Sequence, residues 1–295
     1  MTTQRDFEAV RHARASDPEA IRRALVNRSR RPLLVGDNRL FILAADHPAR
    51  GSLGVGTDGM AMADRYDLLD RLAEGLANPR VDGFLGTADL VEDLALMGAL
   101  EDKIVVGSMN RGGLKAAVFE MDDRFTAYDL DTIRELNLDF AKLLVRINLQ
   151  DAGSAQTLHT AGDIVTRAAE ARMPLMIEPF MSEWSEGSIK NDLTADAVIR
   201  SVAIASALGA SSAYTWLKLP VVPDMERVMK ATTLPTLLLG GDPAMASEDI
   251  YRSWENALGL PGVRGLVVGR TILYPPDGDV GRAVERAAEL VHGAR

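Results

Sequence analysis

Short apolar runs alternate with longer amphipathic segments along most of the chain. Each apolar run is bounded by turn residues, which is typical of strands that are buried on both faces. The pattern predicts eight strands, at residues 39–46, 81–87, 103–109, 142–148, 174–180, 213–219, 235–241 and 265–270.

The segments between the runs carry apolar residues at spacings of three and four, which is typical of helices that bury one face. Ser16 and Glu19 have the spacing of a capping box, with Pro18 in the first turn, and predict a further helix over 17–28. The remaining predicted helices span 60–77, 88–100, 127–137, 154–172, 194–208, 223–231, 246–258 and 278–292.

Strands that alternate with helices predict a parallel sheet with right-handed crossovers. Eight such units in 295 residues favour a closed (β/α)8 TIM barrel of the α/β class over an open sheet. No linker rich in Pro, Gly or Ser divides the chain. We therefore predict one barrel domain over 36–295, preceded by an N-terminal helical extension over 1–35 with one extra helix.

A doubly wound dinucleotide fold is the rival, because Gly54, Gly56 and Gly59 have the spacing of its glycine fingerprint. In that fingerprint the first glycine ends the strand and an acidic residue closes the next strand. Gly54 lies well past the first predicted strand, and the second strand ends in Gly86 and Thr87. We therefore expect no nicotinamide cofactor, and we interpret the glycines as a mobile loop over the barrel mouth.

Composition and charge narrow the function classes. The chain has no cysteine, which excludes disulfides, thiolate metal sites and a cysteine nucleophile. Its net charge of −9 disfavours nucleic acid as a partner. It has neither a long apolar run nor an apolar N-terminal block, so we expect a cytoplasmic protein with no membrane partner. A basic cluster is interpreted as a solvated or subunit-contact face of a homo-oligomer, and its members are Arg22, Arg23, Arg28, Arg30 and Arg31.

Polar residues collect where the predicted strands end. The carboxyl ends of barrel strands meet at one mouth, where the catalytic residues of such barrels lie. The sequence therefore predicts a site at this mouth, formed by Asp46, His47, Ser108, Arg111, Arg146, Asn148, Glu178, Lys218, Gly240, Gly241, Gly269 and Arg270.

Lys218 is the most informative of these residues, because it lies within a strand of apolar and aromatic neighbours. It shares a strand face with Tyr214 and Trp216. Burial lowers the pKa of a lysine from about 10.4 and provides a nucleophilic amine. A nearby cation has the same effect, and we expect Arg146 to supply it. The other reading is a buried ion pair between Lys218 and Glu178 that only supports the barrel.

The other lysines are less suitable as nucleophiles. Lys103 and Lys142 open their predicted strands and are expected at the opposite end of the barrel. For metal binding, His12, His159 and His292 fall in predicted helices, which leaves His47 alone near the mouth. We therefore predict no metal ion and no cofactor.

The last two strands both end in glycine, at Gly240, Gly241 and Gly269, and Arg270 follows. Many barrels hold a phosphate with backbone N–H groups at this corner, where an arginine adds a charge-assisted contact. The alternative is that these glycines only end the strands. The first reading predicts a small phosphorylated partner.

Four motifs in strand order, "ILAADHP", "TWLKLP", "LLLGGDP" and "VVGRTIL", resemble the class I aldolases of the archaeal fructose-bisphosphate and deoxyribose-phosphate aldolase superfamily. The resemblance covers about residues 40 to 275. It implies that Lys218 is the Schiff-base lysine, that Asp46 and His47 are the strand-one pair, and that the glycine corner with Arg270 binds phosphate. Glu178 in "LMIEPF" is similar to the strand-five glutamate of tagatose-bisphosphate aldolases.

The chain also departs from these relatives, because Arg146 stands where some of them place an aromatic proton-transfer residue. The segments "GSMNRGG" and "FEMDDRFTAYDLDTI" look like an actinobacterial branch associated with inositol breakdown. That resemblance implies cleavage of 6-phospho-5-dehydro-2-deoxygluconate to dihydroxyacetone phosphate and malonate semialdehyde.

The resulting hypothesis is a class I aldolase in which the Lys218 amine attacks the ketone of a phosphorylated ketose or keto acid. A general base, Asp46 or else Glu178 or Tyr214, takes the hydroxyl proton. The substrate is expected to contact Arg146, Asn148, Arg111, Trp216 and Ser108. The alternatives are a transaldolase or thiolase-like transferase that uses the same imine, and a barrel that binds a phosphorylated metabolite without catalysis.

Overall fold

In the computed structural model, which describes residues 7–110, 113–240 and 247–294, eight parallel strands close into a barrel with helices between them. Each strand pairs with its neighbours, and pairing of the fourth barrel strand with the fifth closes the ring. The predicted (β/α)8 TIM barrel is confirmed, whereas the domain division at residue 36 stays a prediction. The barrel strands are β1 (Leu40–Ala44), β2 (Gly83–Gly86), β3 (Ile104–Ser108), β4 (Phe140–Ile147), β5 (Leu175–Ser185), β7 (Thr215–Leu219), β8 (Thr236–Leu239) and β9 (Val263–Val268).

The N-terminal extension contains two helices rather than the single predicted one. Ser16 ends the first helix, and Pro18 caps the second without a side-chain hydrogen bond, so the predicted capping box is wrong. A 3₁₀ turn spans Pro48–Arg50. The helices are α1 (Glu8–Ser16), α2 (Glu19–Asn27), α3 (Arg65–Leu76), α4 (Ala88–Leu96), α5 (Leu130–Glu135), α6 (Gly153–Glu170), α7 (Ala195–Ser206), α8 (Met225–Met229), α9 (Ser247–Leu258), α10 (Arg270–Leu273) and α11 (Val280–His292).

A hairpin that the sequence did not predict extends β5 beyond the barrel. After Met181, which pairs with the end of β4, the strand continues and pairs antiparallel with β6 (Ser188–Asn191). The turn residues Glu186 and Gly187 both have positive φ, at 53° and 79°. Two-residue turns of this hand match the twist of the flanking strands. The hairpin therefore stands beside the barrel mouth.

Apolar side chains fill the interior of the barrel below the mouth. Trp216 packs edge-on against Phe140, with ring centroids 5.6 Å apart. A filled interior confines polar chemistry to the carboxyl ends of the strands. The interior layer consists of Leu40, Ile42, Ala44, Leu85, Ile104, Val106, Phe140, Met176, Trp216, Leu237 and Val267.

The basic cluster is only partly the solvated face that the sequence predicts, because Arg22 and Arg23 in α2 are exposed, whereas Arg28 is buried. Its subunit contact stays a prediction. The Arg28 side chain is only 1% exposed, and its Nη2 lies 2.6 Å from Asp139 Oδ2. Arg30 pairs with the same carboxylate, and Arg31 pairs with Asp82. These arginines therefore attach the N-terminal extension to the barrel.

Within the described ranges, no helix has the length and apolar character needed to cross a membrane.

Candidate active site

Four charged side chains alternate in sign across the carboxyl end of the barrel. Asp46, Lys142, Glu178 and Lys218 are all buried, with exposed fractions between 1% and 9%. Lys142 Nζ lies 3.0 Å from Asp46 Oδ2 and 2.6 Å from Glu178 Oε2. The other oxygen of Glu178, Oε1, accepts a hydrogen bond from Lys218 Nζ at 2.9 Å. We call these four residues the charge cluster.

Strand alternation places the cluster inside the barrel. Lys142 follows Phe140 by two residues in β4, and Lys218 follows Trp216 by two in β7. Residues two apart share a face, and both aromatic residues belong to the interior layer. Glu178 stands beside Leu144 in the register of β4 and β5. The lysines therefore point into the barrel above its apolar filling.

Lys142 is a member of the charge cluster that the sequence did not predict. The apolar pattern predicts Lys142 at the start of strand four and at the opposite end of the barrel, which is wrong. The strand begins two residues earlier, at Phe140, because Val105 N–H donates to the Asp139 carboxylate and Asp139 N–H donates to Val105 O, which aligns the chain beside β3. The repeated spacing of Lys142, Leu144 and Arg146 was the available signal for an inward lysine.

Ser108 contacts Asp46. It is fully buried, and its Oγ donates a hydrogen bond to Asp46 Oδ2 at 3.1 Å. The same oxygen accepts from Lys142 Nζ. Ser108 and Lys142 together therefore fix the orientation of the Asp46 carboxylate. The predicted contact between Ser108 and substrate stays a prediction.

The cluster perturbs the pKa of Lys218. Burial lowers the pKa of its amine, the positive charge of Lys142 lowers it further, and Glu178 opposes both effects. For Glu178, burial raises the pKa, but the two lysines outweigh this effect and hold it below its usual value. Glu178 is therefore ionised at neutral pH, while Lys218 gives up its proton more readily than an exposed lysine.

Arg146 is not the cation that acts on Lys218, contrary to the prediction. Its side chain is 3% exposed and faces carboxylates of the β3–α5 connection. Nη2 lies 2.6 Å from Asp123 Oδ1, and Nη1 lies 3.6 Å from Glu120 Oε1. Two buried carboxylates thus neutralise the guanidinium. Arg146 attaches this connection to β4, and its predicted contact with substrate stays a prediction.

The connection between β3 and α5 is held close to the mouth by further hydrogen bonds. Asn110 Nδ2 donates to Leu144 O and, at 3.1 Å, to Asp123 O, while Leu144 N–H donates to Asn110 Oδ1 at 2.7 Å. A Cβ at Gly113 would lie 2.1 Å from Glu120 O, so only glycine fits there. This connection therefore forms a wall of the mouth beside β4.

The structure does not bring Tyr214 or Asn148 into the cluster. Tyr214 precedes β7 and lies at the amino end of the barrel. Asn148 follows β4, and its Oδ1 accepts from Gln150 N–H at 2.9 Å. It lines a rim cleft of about 520 Å³ with residues of the hairpin and α7. Trp216 lies in the layer beneath Lys218, and Arg111 lies outside the described residues.

His47 follows Asp46 at the end of β1. Its side chain is 28% exposed, and Nδ1 lies 3.8 Å from Asp46 Oδ1. Within the part of the chain that the structure describes, this buried nitrogen has no hydrogen-bond partner. Burial lowers the pKa of His47 to about 3; the cations Arg270 and Lys218 act in the same direction, and Asp46 opposes them. The ring is therefore neutral at physiological pH.

The glycine corner lies where the neighbouring strands β8 and β9 end. A Cβ at Gly240 would lie 3.8 Å from Val268 Cγ1 and 3.9 Å from Thr271 Oγ1, which is ordinary van der Waals contact, so a methyl group would fit there. A Cβ at Gly269 would lie 2.2 Å from Ala44 O, so this residue allows close packing against β1. Arg270 begins α10, where the sequence predicted the end of a strand. Gly241 lies outside the described residues.

The glycine-rich loop after β1 contacts this corner. Gly51 and Gly56 have positive φ, at 70° and 56°, and Val55 N–H donates to Asp58 O at 2.8 Å. Arg270 Nη1 donates to Gly54 O at 3.3 Å. The loop is thus folded on itself and placed beside the corner. Its predicted mobility over the mouth stays a prediction.

The Cgl0159-like family matches residues 38–288, which is most of the chain. The chain belongs to this family. Among solved structures, Cgl0159 from Corynebacterium glutamicum is 58% identical, with 97% of this chain and 96% of that chain covered and a TM-score of 0.95. The comparison with curated proteins found no match.

More distant structures share the fold of this Cgl0159-like chain. A Schiff-base-forming fructose-1,6-bisphosphate aldolase is 20% identical, with 92% of this chain and 100% of that chain covered and a TM-score of 0.67. An archaeal fructose 1,6-bisphosphate aldolase is 18% identical, with 93% and 100% covered and a TM-score of 0.66. At these identities the likeness shows the barrel fold that the motif resemblance implies.

Proposed function

We propose that this protein is a class I aldolase that cleaves a phosphorylated ketose or keto acid through a Schiff base on Lys218. The charge cluster is the observation that supports the proposal. It combines a buried amine of lowered pKa with a second cation and two carboxylates, all within hydrogen-bond distance of their neighbours. These are the groups that imine formation and carbon–carbon cleavage require.

The contacts favour Lys218 over Lys142 as the nucleophile. Lys142 Nζ lies within 3.0 Å of two carboxylates, Asp46 and Glu178, which together compensate its charge. Lys218 has one carboxylate partner and faces the charge of Lys142. Lys142 therefore acts as the fixed cation of the site, and Lys218 supplies the free amine.

The reaction begins when the lone pair of Lys218 Nζ attacks the ketone carbon. A C–N bond forms, and the carbonyl oxygen takes two protons in turn and leaves as water, which gives an iminium ion. The neighbouring C–C bond then breaks and its electron pair moves into the iminium, while a base takes the proton of the hydroxyl that becomes an aldehyde. Protonation of the enamine and hydrolysis return the amine and release the ketone product.

The cluster offers a group for each proton movement. Glu178 Oε1 is 2.9 Å from Lys218 Nζ, within reach of protons at that nitrogen. Asp46 lies on the other side of Lys142, and we assign it the hydroxyl proton. General-base help of this kind contributes about 10² to 10⁴ in rate. The neutral ring of His47 beside Asp46 is placed to bind a substrate hydroxyl.

We further propose that the glycine corner binds the substrate phosphate. Gly240 has no side chain to cover its backbone just after β8, and Arg270 brings a guanidinium to the end of β9. The first substrate to test is 6-phospho-5-dehydro-2-deoxygluconate, which the motif resemblance implies. Its expected products are dihydroxyacetone phosphate and malonate semialdehyde.

Two other functions use the same geometry. The 2.9 Å ion pair of Lys218 and Glu178 is compatible with a barrel that binds a phosphorylated metabolite without catalysis. A transferase would pass the enamine fragment to an acceptor aldehyde, and exchange of labelled aldehydes in place of net cleavage would identify it. The expected homo-oligomer stays a prediction that light scattering will test.

Borohydride reduction with dihydroxyacetone phosphate tests the proposal directly. Reduction of the imine fixes a mass adduct, which peptide mapping is expected to place on Lys218. Lys218→Met removes the adduct, whereas Lys103→Met, a matched change at a buried lysine near the amino end of the barrel, retains it. An adduct on Lys142 would contradict the choice of nucleophile, and ligand binding without any adduct would support the non-catalytic barrel.

A further inference from the structure

His292 joins three parts of the chain at the amino end of the barrel. It is the last residue of α11, and its side chain is 17% exposed. Nδ1 lies 2.8 Å from Asp37 Oδ2, and Nε2 lies 3.1 Å from Asp82 Oδ2. Asp37 belongs to residues 28–39, which connect α2 to β1 and which we call the N-terminal strap. Asp82 directly precedes β2.

Both ring nitrogens of His292 thus lie near carboxylate oxygens. Nδ1 makes a hydrogen bond to Asp37, whereas Nε2 makes an ion-pair contact with Asp82 and, among the described residues, no hydrogen bond. Only the imidazolium form has an N–H on each nitrogen, whereas the neutral ring presents a lone pair to one of the two carboxylates. The C-terminal position in α11 also favours a positive charge, because it interacts with the negative end of the helix dipole. The arrangement is therefore suited to the protonated ring.

Other charged groups hold Asp82 whether or not His292 is charged. Asp82 pairs with Arg31, and its Oδ2 accepts from Phe41 N–H at 2.7 Å. The Lys103 ammonium also attracts the Asp82 carboxylate electrostatically. Asp82 therefore keeps partners within the barrel and the strap.

Asp37 has weaker partners than Asp82 to hold it when His292 is uncharged. Its Oδ1 accepts from Arg39 N–H at 2.9 Å, and the Arg39 guanidinium donates to Val291 O at 3.3 Å and Leu258 O at 3.2 Å. Arg80 binds the carbonyl of Gly293 beside the end of α11. These contacts keep α11 in place, so loss of the ring proton affects the strap around Asp37 first.

We propose that His292 is a proton-controlled clamp that holds the N-terminal strap against α11 and the barrel, and releases Asp37 when the imidazolium loses its proton. The clamp lies at the end of the barrel opposite the charge cluster and does not depend on the function proposed for that cluster.

The direction of the pH dependence follows from the contacts of His292. Burial lowers its pKa, but Asp82 and Asp37 outweigh burial and raise the pKa above 6.5. A group whose pKa is higher in the folded state contributes stability that is complete below its unfolded pKa and is lost as pH rises through the folded pKa. The clamp is therefore closed in mild acid and opens towards alkaline pH.

Hydrogen exchange of the full chain between pH 6 and 9 tests the clamp, with rates corrected for intrinsic exchange. In the wild type, the opening equilibrium of strap peptides is expected to rise by up to about tenfold per pH unit above about pH 6.5, until it levels off at the folded pKa. His292→Gln cannot gain charge, so its strap peptides are expected to show, at every pH, the opening equilibrium that the wild type reaches at high pH. His292→Arg stays charged and is expected to keep the strap protected across the range.

His159→Gln serves as the matched control, because His159 is 70% exposed and pairs with Asp163 on the surface of α6. It is expected to retain the wild-type pH dependence. Protection that is independent of pH in the wild type would overturn the clamp, even if His292→Gln lowered it. A pH dependence of strap opening that persists in His292→Gln would also overturn the clamp, because another group would then carry the proton.

Discussion

Replacing Lys142 with methionine tests how the charge cluster prepares Lys218. Methionine keeps most of the length of the side chain and removes its charge. Lys142 and Lys218 bind opposite oxygens of Glu178, at 2.6 and 2.9 Å. At a separation of roughly 5 to 6 Å and an effective dielectric constant of about 20, two like charges repel by about 3 kcal/mol, which is about two pKa units.

The variant is therefore expected to raise the pKa of Lys218 by about two units. Asp46 and Glu178, which no longer pair with Lys142 in the variant, act in the same direction because both attract the Lys218 ammonium. At a fixed pH below the midpoint, the fraction of free amine falls about 100-fold for two units. The measurement is the pH profile of borohydride trapping with dihydroxyacetone phosphate, whose midpoint should move upwards by about two pH units.

Folding has to be checked alongside, since removal of one partner of a buried ion pair costs about 3 to 5 kcal/mol. Circular dichroism across the pH range shows where the variant is folded, and only those points enter the profile. Lys103→Met is the matched control and should leave the midpoint unchanged, because that lysine donates to backbone carbonyls near the amino end of the barrel. An unchanged or lowered midpoint in Lys142→Met would refute the argument that Lys142 is the activating cation.

Two further predictions concern the walls of the mouth. Asp123→Asn is expected to destabilise the protein by about 3 to 5 kcal/mol in urea unfolding, because it leaves the buried Arg146 without its closest anion. Asp122 is only partly buried and pairs with the exposed Arg124, so Asp122→Asn is expected to cost less than about 1 kcal/mol. Equal losses in the two variants would contradict a buried anchor at Asp123. Gly240→Ala should weaken phosphate binding in calorimetry without lowering Tm, whereas Gly269→Ala should lower Tm, since its Cβ meets Ala44 O. Unchanged phosphate affinity in Gly240→Ala would argue against the corner.

The fold could be predicted from the sequence because the pattern that indicates a strand followed by a helix repeats along the chain. Apolar runs and helical spacings recur eight times, so errors at single boundaries do not change the barrel. The boundaries themselves are set by contacts distant in sequence. Asp139, for example, aligns β4 beside β3 through Val105, a pairing that local pattern cannot reveal. The β5–β6 hairpin was missed because Glu186 takes up positive φ, for which its residue type gives little warning.

Only part of the candidate site could be predicted from the sequence. Lys218 was identifiable because a lysine among apolar strand neighbours requires a partner, and Glu178 is that partner. Lys142 was misplaced by a two-residue error in the start of its strand. Arg146 and Asp123 are 23 positions apart, and their pairing depends on the path of the β3–α5 connection. Side-chain partners supplied by long connections are therefore the part that sequence patterns do not determine.

The alternation of charge in the cluster also constrains how this barrel can be altered. The charges of Asp46, Lys142, Glu178 and Lys218 sum to zero when all four are ionised, and the four side chains are buried together. A single exchange at any of them leaves one uncompensated charge in the interior, whereas a paired exchange of Lys142 and Asp46 for apolar residues of similar volume conserves electrical neutrality. Natural drift or deliberate redesign of this interior is thus expected to proceed through compensated pairs rather than single steps.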